Sequence, residues 1–100
     1  MHAHPDADEL RRLADALPSW RYDPQRRALH RRLSLADFSQ ALSAMVRIGV
    51  EADKRDHHPE WTNVYDRIDI WLTTHDTGGV SERDEALAAV IDRMYPQSIT

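Results

Sequence analysis

The sequence predicts an α+β fold, an antiparallel β-sheet of up to four strands with three helices packed on one face, in the order α-β-β-α-β-β-α. Three observations carry this. Apolar residues alternate with polar ones on either side of Asp23-Pro24-Gln25, and a second alternating run spans Val64 to Thr73. Three other stretches repeat apolar residues at helical spacing, and each needs a surface to cover. With so few strands, packing the helices on one side of an antiparallel sheet is the economical solution.

Taken in order, Asp6 or Asp8 can cap a first helix in which Leu10, Leu13, Ala14 and Leu17 form a narrow stripe until Pro18. Trp20 and Tyr22, the Pro24 turn and the run through Leu29, Leu33 and Leu35 then read as a hairpin. Arg31 falls on its apolar side, where the aliphatic stem can cover an edge while the guanidinium reaches water. A second helix is expected over about residues 36–54, with Phe38, Ala41, Leu42, Met45, Val46, Ile48, Gly49 and Ala52 as one stripe. Gly49 suggests a close contact with the sheet.

Pro59 biases His58 towards extended backbone, so this helix should end near His57. Val64, Ile68, Ile70 and Leu72 are expected on one face of the following run, with Tyr65, Arg67, Asp69, Trp71 and Thr73 on the other. Asp66 marks a kink or a division into two strands. Gly78-Gly79 makes the next turn, Ser81 caps a third helix, and Leu87, Val90, Ile91 and Met94 are its buried stripe before Pro96.

The 100 residues form one domain, 1–100, whose first five residues, including His2 and His4, are expected to be disordered. A net charge of -4 with pI near 5.8 disfavours a general nucleic-acid binder, although twelve of the thirteen basic residues are arginines. The absence of cysteine removes disulfides, thiolate ligands and a cysteine nucleophile. With no signal peptide or membrane span in evidence, a cytoplasmic protein is expected.

The chemistry concentrates in Asp53-Lys-Arg-Asp-His-His-Pro-Glu-Trp61 and Thr74-His75-Asp76. Histidine is the side chain whose unperturbed pKa lies nearest neutrality, so one can donate and another accept a proton. Asp53, one helical turn before His57, is placed to orient that imidazole. His58, adjacent to His57 and pointing elsewhere, suits a substrate polar group. The spacing H-H-x16-H lacks the H-x3-H of a helical zinc pair, so no metal is expected. Trp61 and Tyr65 can stack on a flat heterocycle, though packing is an equal reading for Tyr65. Asp84 stands three positions after Ser81, where a capping box and a substrate contact are both open readings, and Arg83 is a further candidate for a polar substituent.

The spacing Asp53, His57-His58-Pro59, Tyr65, His75, Asp84, with the blocks His-His-Pro-Glu-Trp and Asn63-Val64-Tyr65, resembles the pterin-4a-carbinolamine dehydratase family. The likeness extends to Trp20, Arg26, Ala28, Asp37-Phe38, Gly78-Gly79 and Ser81-Glu-Arg-Asp84. Position 53 is aspartate where the family frequently has glutamate, Asp66 replaces a common asparagine, and Gln25 stands where a glycine usually turns the hairpin.

The resemblance implies dehydration of 4a-hydroxytetrahydropterin to quinonoid dihydropterin, recycling the pterin of aromatic amino acid hydroxylases. By matching position, Asp53, His57, His58 and His75 correspond to the family's active-site acid and three histidines; with the reading of the residues themselves, His57, His75 and Asp53 are expected to be catalytic, and His58, Trp61, Asp84 and Arg83 to bind substrate. No cofactor is expected beyond the pterin substrate. The resemblance further implies a homodimer or homotetramer and a functional link to a hydroxylase. The alternative is a non-enzymatic assembly or regulatory module on the same fold, like a Rubisco assembly factor or a transcription cofactor. A nucleic-acid contact through Arg21, Arg26, Arg27, Arg31 and Arg32 is a third, disfavoured reading.

Overall fold

A computed structural model describes residues 5–96. Residues 1–4, with His2 and His4, and 97–100 lie outside it. The elements are α1 (Ala7–Ala16), β1 (Arg21–Asp23), β2 (Ala28–Ser34), α2 (Phe38–Lys54), β3 (Glu60–Val64), β4 (Arg67–Leu72), a 3-10 turn (His75–Thr77) and α3 (Glu82–Met94). The four strands form one antiparallel sheet in the order β1-β2-β4-β3. This is the expected fold class and element order.

Local chemistry sets the boundaries. Asp6 caps α1 by accepting from the Glu9 N–H at 2.9 Å, and Asp37 caps α2 through the Gln40 N–H at 2.8 Å. The run after Pro59 divides at Tyr65-Asp66, with Tyr65 in the left-handed region at φ 52°. The turn brings Val64 opposite Arg67, so Val64 lies on the open face of the sheet and is exposed, not beside Ile68 as period-two counting through the turn suggests.

Between the sheet and the helices, Leu29, Leu33, Ile68, Ile70 and Leu72 meet Ala41, Ala44, Ile48 and Ala52 of α2 and Leu87, Ala88 and Ile91 of α3. Fully burying an aliphatic side chain contributes about 1.5–3 kcal/mol, so this layer is the main source of cohesion. In α1 only Leu13, with Leu17 just beyond, is buried; Leu10 and Ala14 stay exposed.

The single stripe expected on α2 proves to be two. Ala41, Ala44, Ile48 and Ala52 face the core, while Phe38, Leu42, Val46 and Val50 form a second apolar row on the outside, each about half exposed. Gly49 does face the sheet, at the Trp61 ring. A Cβ there would meet the ring at 3.8 Å, an ordinary van der Waals distance, so packing alone does not demand glycine.

Arg31 corrects a second expectation. Its guanidinium does not reach water but is buried, with Nη1 donating to Asp92 Oδ1 at 2.5 Å and Nη2 to the Tyr95 carbonyl at 2.6 Å. Trp20 Nε1 donates to the same Asp92 oxygen at 2.9 Å, tying α3 to the hairpin. The helices thus cover the centre of one face of the sheet, with Tyr22, Trp61 and Asn63 partly buried on its outer strands. Among the described residues no helix is long and apolar enough to cross a membrane.

Candidate active site

At the end of the sheet near Pro59 and Thr73 two segments distant in sequence meet, the link from α2 to β3 and the link from β4 to α3. Helix α2 finishes at Lys54, and Asp56 takes a left-handed conformation at φ 50°, which aspartate adopts more readily than most residues. The His57 N–H then bonds back to the Ala52 carbonyl at 3.1 Å. The tight reversal aims the His57 side chain inward, under the start of α3. Pro59 then starts the chain into β3.

The inward turn separates His57 from the partner expected for it. The carboxylate of Asp53, on the last turn of α2, instead lies 3.2 Å from His58 Nε2, and both groups are exposed. His57 Nε2 lies 2.5 Å from Oδ1 of Asp84, which is fully buried. Helical spacing suggested the wrong pairing because the helix has already ended before His57.

Asp84 is the hub of the site. Besides His57, its Oδ2 accepts from Thr74 Oγ1 at 2.7 Å and from the Ser81 N–H at 2.7 Å, completing a capping box on α3. With the Thr74 proton committed to Asp84, the 2.6 Å contact between Thr74 and Ser81 has Ser81 Oγ as donor. Ser81 Oγ in turn accepts from the Arg83 N–H. A buried carboxylate is costly unless its oxygens are satisfied, and here a helix N-terminus, a hydroxyl and an imidazole satisfy them. Of the two readings left open for Asp84, the structure shows the capping box; the carboxylate is fully buried, does not line the cavity, and meets His57 in place of a substrate-facing surface.

Arg83 fixes the tautomer. Its Nη2 lies 3.2 Å from His57 Nδ1, and a guanidinium can only donate, so Nδ1 presents a lone pair and the ring proton sits on Nε2, facing Asp84. In this arrangement Nδ1 is the acceptor nitrogen and looks outward, while Nε2 faces Asp84.

His75, the first residue of the 3-10 turn, approaches from the opposite side. Its Nε2 lies 3.2 Å from Glu60 Oε2, and its side chain is 85% exposed against 7% for His57. His57, His58, His75 and Arg83, together with Asp56, Glu60, Thr73, Thr74 and Asp76, line one cavity of about 280 Å³. The structure thus gathers three histidines, Asp84 and Arg83 at one place. Asp53 touches the cluster only through His58. Trp61 lies elsewhere, packed from β3 against the core and Gly49, and Tyr65 is exposed at the far turn.

Glu60 and Thr74 were missed as site residues by sequence reasoning. Glu60 could have been found by noting that β3 begins beside Pro59, which puts residue 60 level with Trp71 at the strand end nearest His75. Thr74 carries no such signal, because its role depends on the packing of α3.

The arrangement pairs one buried and one exposed imidazole, each with its own carboxylate, across a small polar cavity. The family model described as Pterin 4 alpha carbinolamine dehydratase matches residues 3–94. A protein of Rhizorhabdus wittichii, provisionally named pterin-4-alpha-carbinolamine dehydratase, is 50% identical over 95 residues, covering 94% of this chain and 98% of the relative. One of the same provisional name from Rhodospirillum rubrum is 50% identical over 84 residues, 84% of this chain and 86% of its own. Among solved structures, a transcriptional coactivator/pterin dehydratase from Brucella melitensis superposes with a TM-score of 0.83 at 35% identity, over 91% of this chain and 97% of that one. On the extent of these matches, the chain belongs to the pterin-4-alpha-carbinolamine dehydratase family.

Proposed function

We propose that this protein dehydrates 4a-hydroxytetrahydropterin to quinonoid dihydropterin by histidine acid/base chemistry, serving the turnover of an aromatic amino acid hydroxylase. The observation that carries the reading is the opening of His57 and His75 onto one cavity with separate carboxylate partners. His75, beside Glu60, holds a proton and gives it to the C4a hydroxyl, which leaves as water as the C4a–O bond breaks and N5 supplies the electron pair. The N5 proton passes to the outward lone pair of His57 Nδ1, after Arg83 yields that contact to the substrate. One proton is delivered and one recovered, so no redox change is required. His58 and Arg83 serve the ring's polar substituents.

General acid/base assistance of this kind contributes typically 10²- to 10⁴-fold. The test is the decay of 4a-hydroxytetrahydropterin, generated in place by a hydroxylase, with the wild type and with a His57→Ala, His75→Ala double variant. Acceleration by the wild type alone is expected. A folded wild type without effect on the decay sinks the proposal.

The outer row of α2 favours self-association as a companion reading, since Phe38, Leu42, Val46 and Val50 make a continuous apolar strip too regular for a solvated face. A homodimer or homotetramer formed there leaves the histidine cavity, at the end of the sheet, free. Val46→Glu should lower the mass measured by light scattering while leaving dehydration intact. An unchanged mass would move the interface elsewhere. A binding module without chemistry is the reading left if assembly persists and dehydration is absent.

A further inference from the structure

Beside the histidine cavity lies a second one of about 470 Å³, lined by Arg26, Arg27, Glu60, Thr73, His75 and Gly78. The two share Glu60, Thr73 and His75. The two adjoin at these shared residues, one reaching Arg83 and the other the β1–β2 turn. We infer that the arginine end of the larger cavity is an anion subsite, which takes a phosphate or carboxylate carried on the substituent of the pterin; the inference rests on the pterin reading above and extends it to the substrate's side chain.

Three observations support it. First, both guanidinium groups are presented by a turn that is held in place. Asp23 Oδ1 accepts from the N–H groups of Gln25 and Arg26 at 3.0 and 3.2 Å, and Thr73 Oγ1 donates to the Arg27 carbonyl at 2.8 Å. Second, the Arg26 guanidinium lies 3.7 Å from the centre of the Trp71 ring, which is itself anchored by donating Nε1–H to Asp23 Oδ2 at 3.2 Å. A planar cation stacked in this way is pre-oriented and loses little freedom when it binds an anion. Third, the charge balance favours an anion. Among the residues that line this cavity, two guanidinium groups face one carboxylate, Glu60, which is drawn to Arg26 at 3.9 Å and to His75 at 3.2 Å, while the nearby Asp23 carboxylate, which Arg26 also attracts, is engaged by the turn N–H groups and Trp71. Arg27 has no carboxylate partner among the described residues.

Size points the same way. A cavity of about 280 Å³ is at the low end for small-molecule sites and suits a bicyclic ring more than a ring with its chain. A substituent has the adjoining cavity as its room, and the groups it meets there are cationic donors suited to bidentate contact with phosphate or carboxylate.

The test compares 7,8-dihydroneopterin with its phosphate ester by titration calorimetry, on the wild type and on Arg27→Asn. Asparagine tolerates the left-handed backbone at position 27, φ 53°, so the turn survives the change. The ester is expected to bind about tenfold more tightly than the neutral pterin, the factor one charge-assisted contact supplies. The preference should shrink towards one in Arg27→Asn and decline with added salt. Equal binding of the two ligands, or a preference that survives in Arg27→Asn, overturns the subsite while leaving the pterin reading in place. Binding of neither ligand overturns both. Inorganic phosphate alone should bind at least a hundredfold more weakly than the ester. Equal affinity would make this a site for free phosphate and refute its assignment to the substrate.

Discussion

Replacing Asp84 by asparagine removes a single charge from the centre of the site without changing its shape, and the structure fixes what should follow. With its oxygen in the Oδ2 position, the amide still accepts from Thr74 Oγ1 and the Ser81 N–H, so the cap on α3 persists. Its NH2 group then faces His57 Nε2–H, donor against donor. The ring can relieve this by moving its proton to Nδ1, but Nδ1 faces Arg83, which can only donate. Either way one buried charge-assisted hydrogen bond is lost, a cost of about 2 kcal/mol. For a domain of this size that lowers Tm by roughly 10 °C. The outward lone pair of His57 is lost with the tautomer, and dehydration should fall by about 10² or more. Nitrogen NMR of the His57 ring, thermal unfolding and the dehydration rate check the three steps separately. A folded Asp84→Asn protein with full activity and the Nε2–H tautomer intact would refute the reasoning.

The exposure of the two imidazoles leads to a difference in rescue: added imidazole should restore part of the dehydration rate of a His75→Ala variant, whose site is open to solvent, and should not restore His57→Ala, whose site is enclosed. Equal rescue of the two would contradict the geometry. Asp92→Ala leaves the buried guanidinium of Arg31 without its carboxylate and should cost about 3–5 kcal/mol in urea unfolding, far more than a surface ion pair. Asp23 is held below the usual aspartate value of 3.8 by hydrogen bonds from the Arg26 N–H and from Trp71, against the opposing effect of burial. Because its folded-state pKa is depressed, the stability it contributes is present above pH about 4 and lost as acid passes through the lowered value. Asp23→Asn should therefore flatten the acid limb of the stability profile, and an unchanged limb would assign that loss to other carboxylates.

Most of the fold was legible because its signals are local. The Ser81 cap, the Pro24 turn and the alternation of Ile68, Ile70 and Leu72 each act within a few residues. What escaped depends on tertiary packing. The two apolar rows of α2 are interleaved at helical spacing, and the sequence does not say which one the sheet covers. Arg31 was legible as a residue on the apolar side, but Asp92, sixty-one positions on, is what lets its charge be buried. In the site, the histidines were visible as a cluster while their partners were not. Asp53 stands four residues before His57, yet the left-handed Asp56 rotates the imidazole away from it and towards Asp84, twenty-seven residues ahead.

The difference between the two histidine pairs suits a reaction that delivers one proton and recovers another. In the proposed reaction, a base enclosed between Asp84 and Arg83 would offer a fixed lone pair and lose little orientation when the substrate arrives. The proposed acid, largely exposed beside Glu60, is open to water between turnovers. Were both imidazoles buried, return of the proton would be slow; were both exposed, neither would be held in line with the ring. The fold achieves the combination by building one pair into the capping box of α3 and leaving the other on a short 3-10 turn at the sheet's edge. The same turn borders the arginine-lined cavity, so the imidazole most open to solvent also lines the space proposed to take the substituent of the pterin.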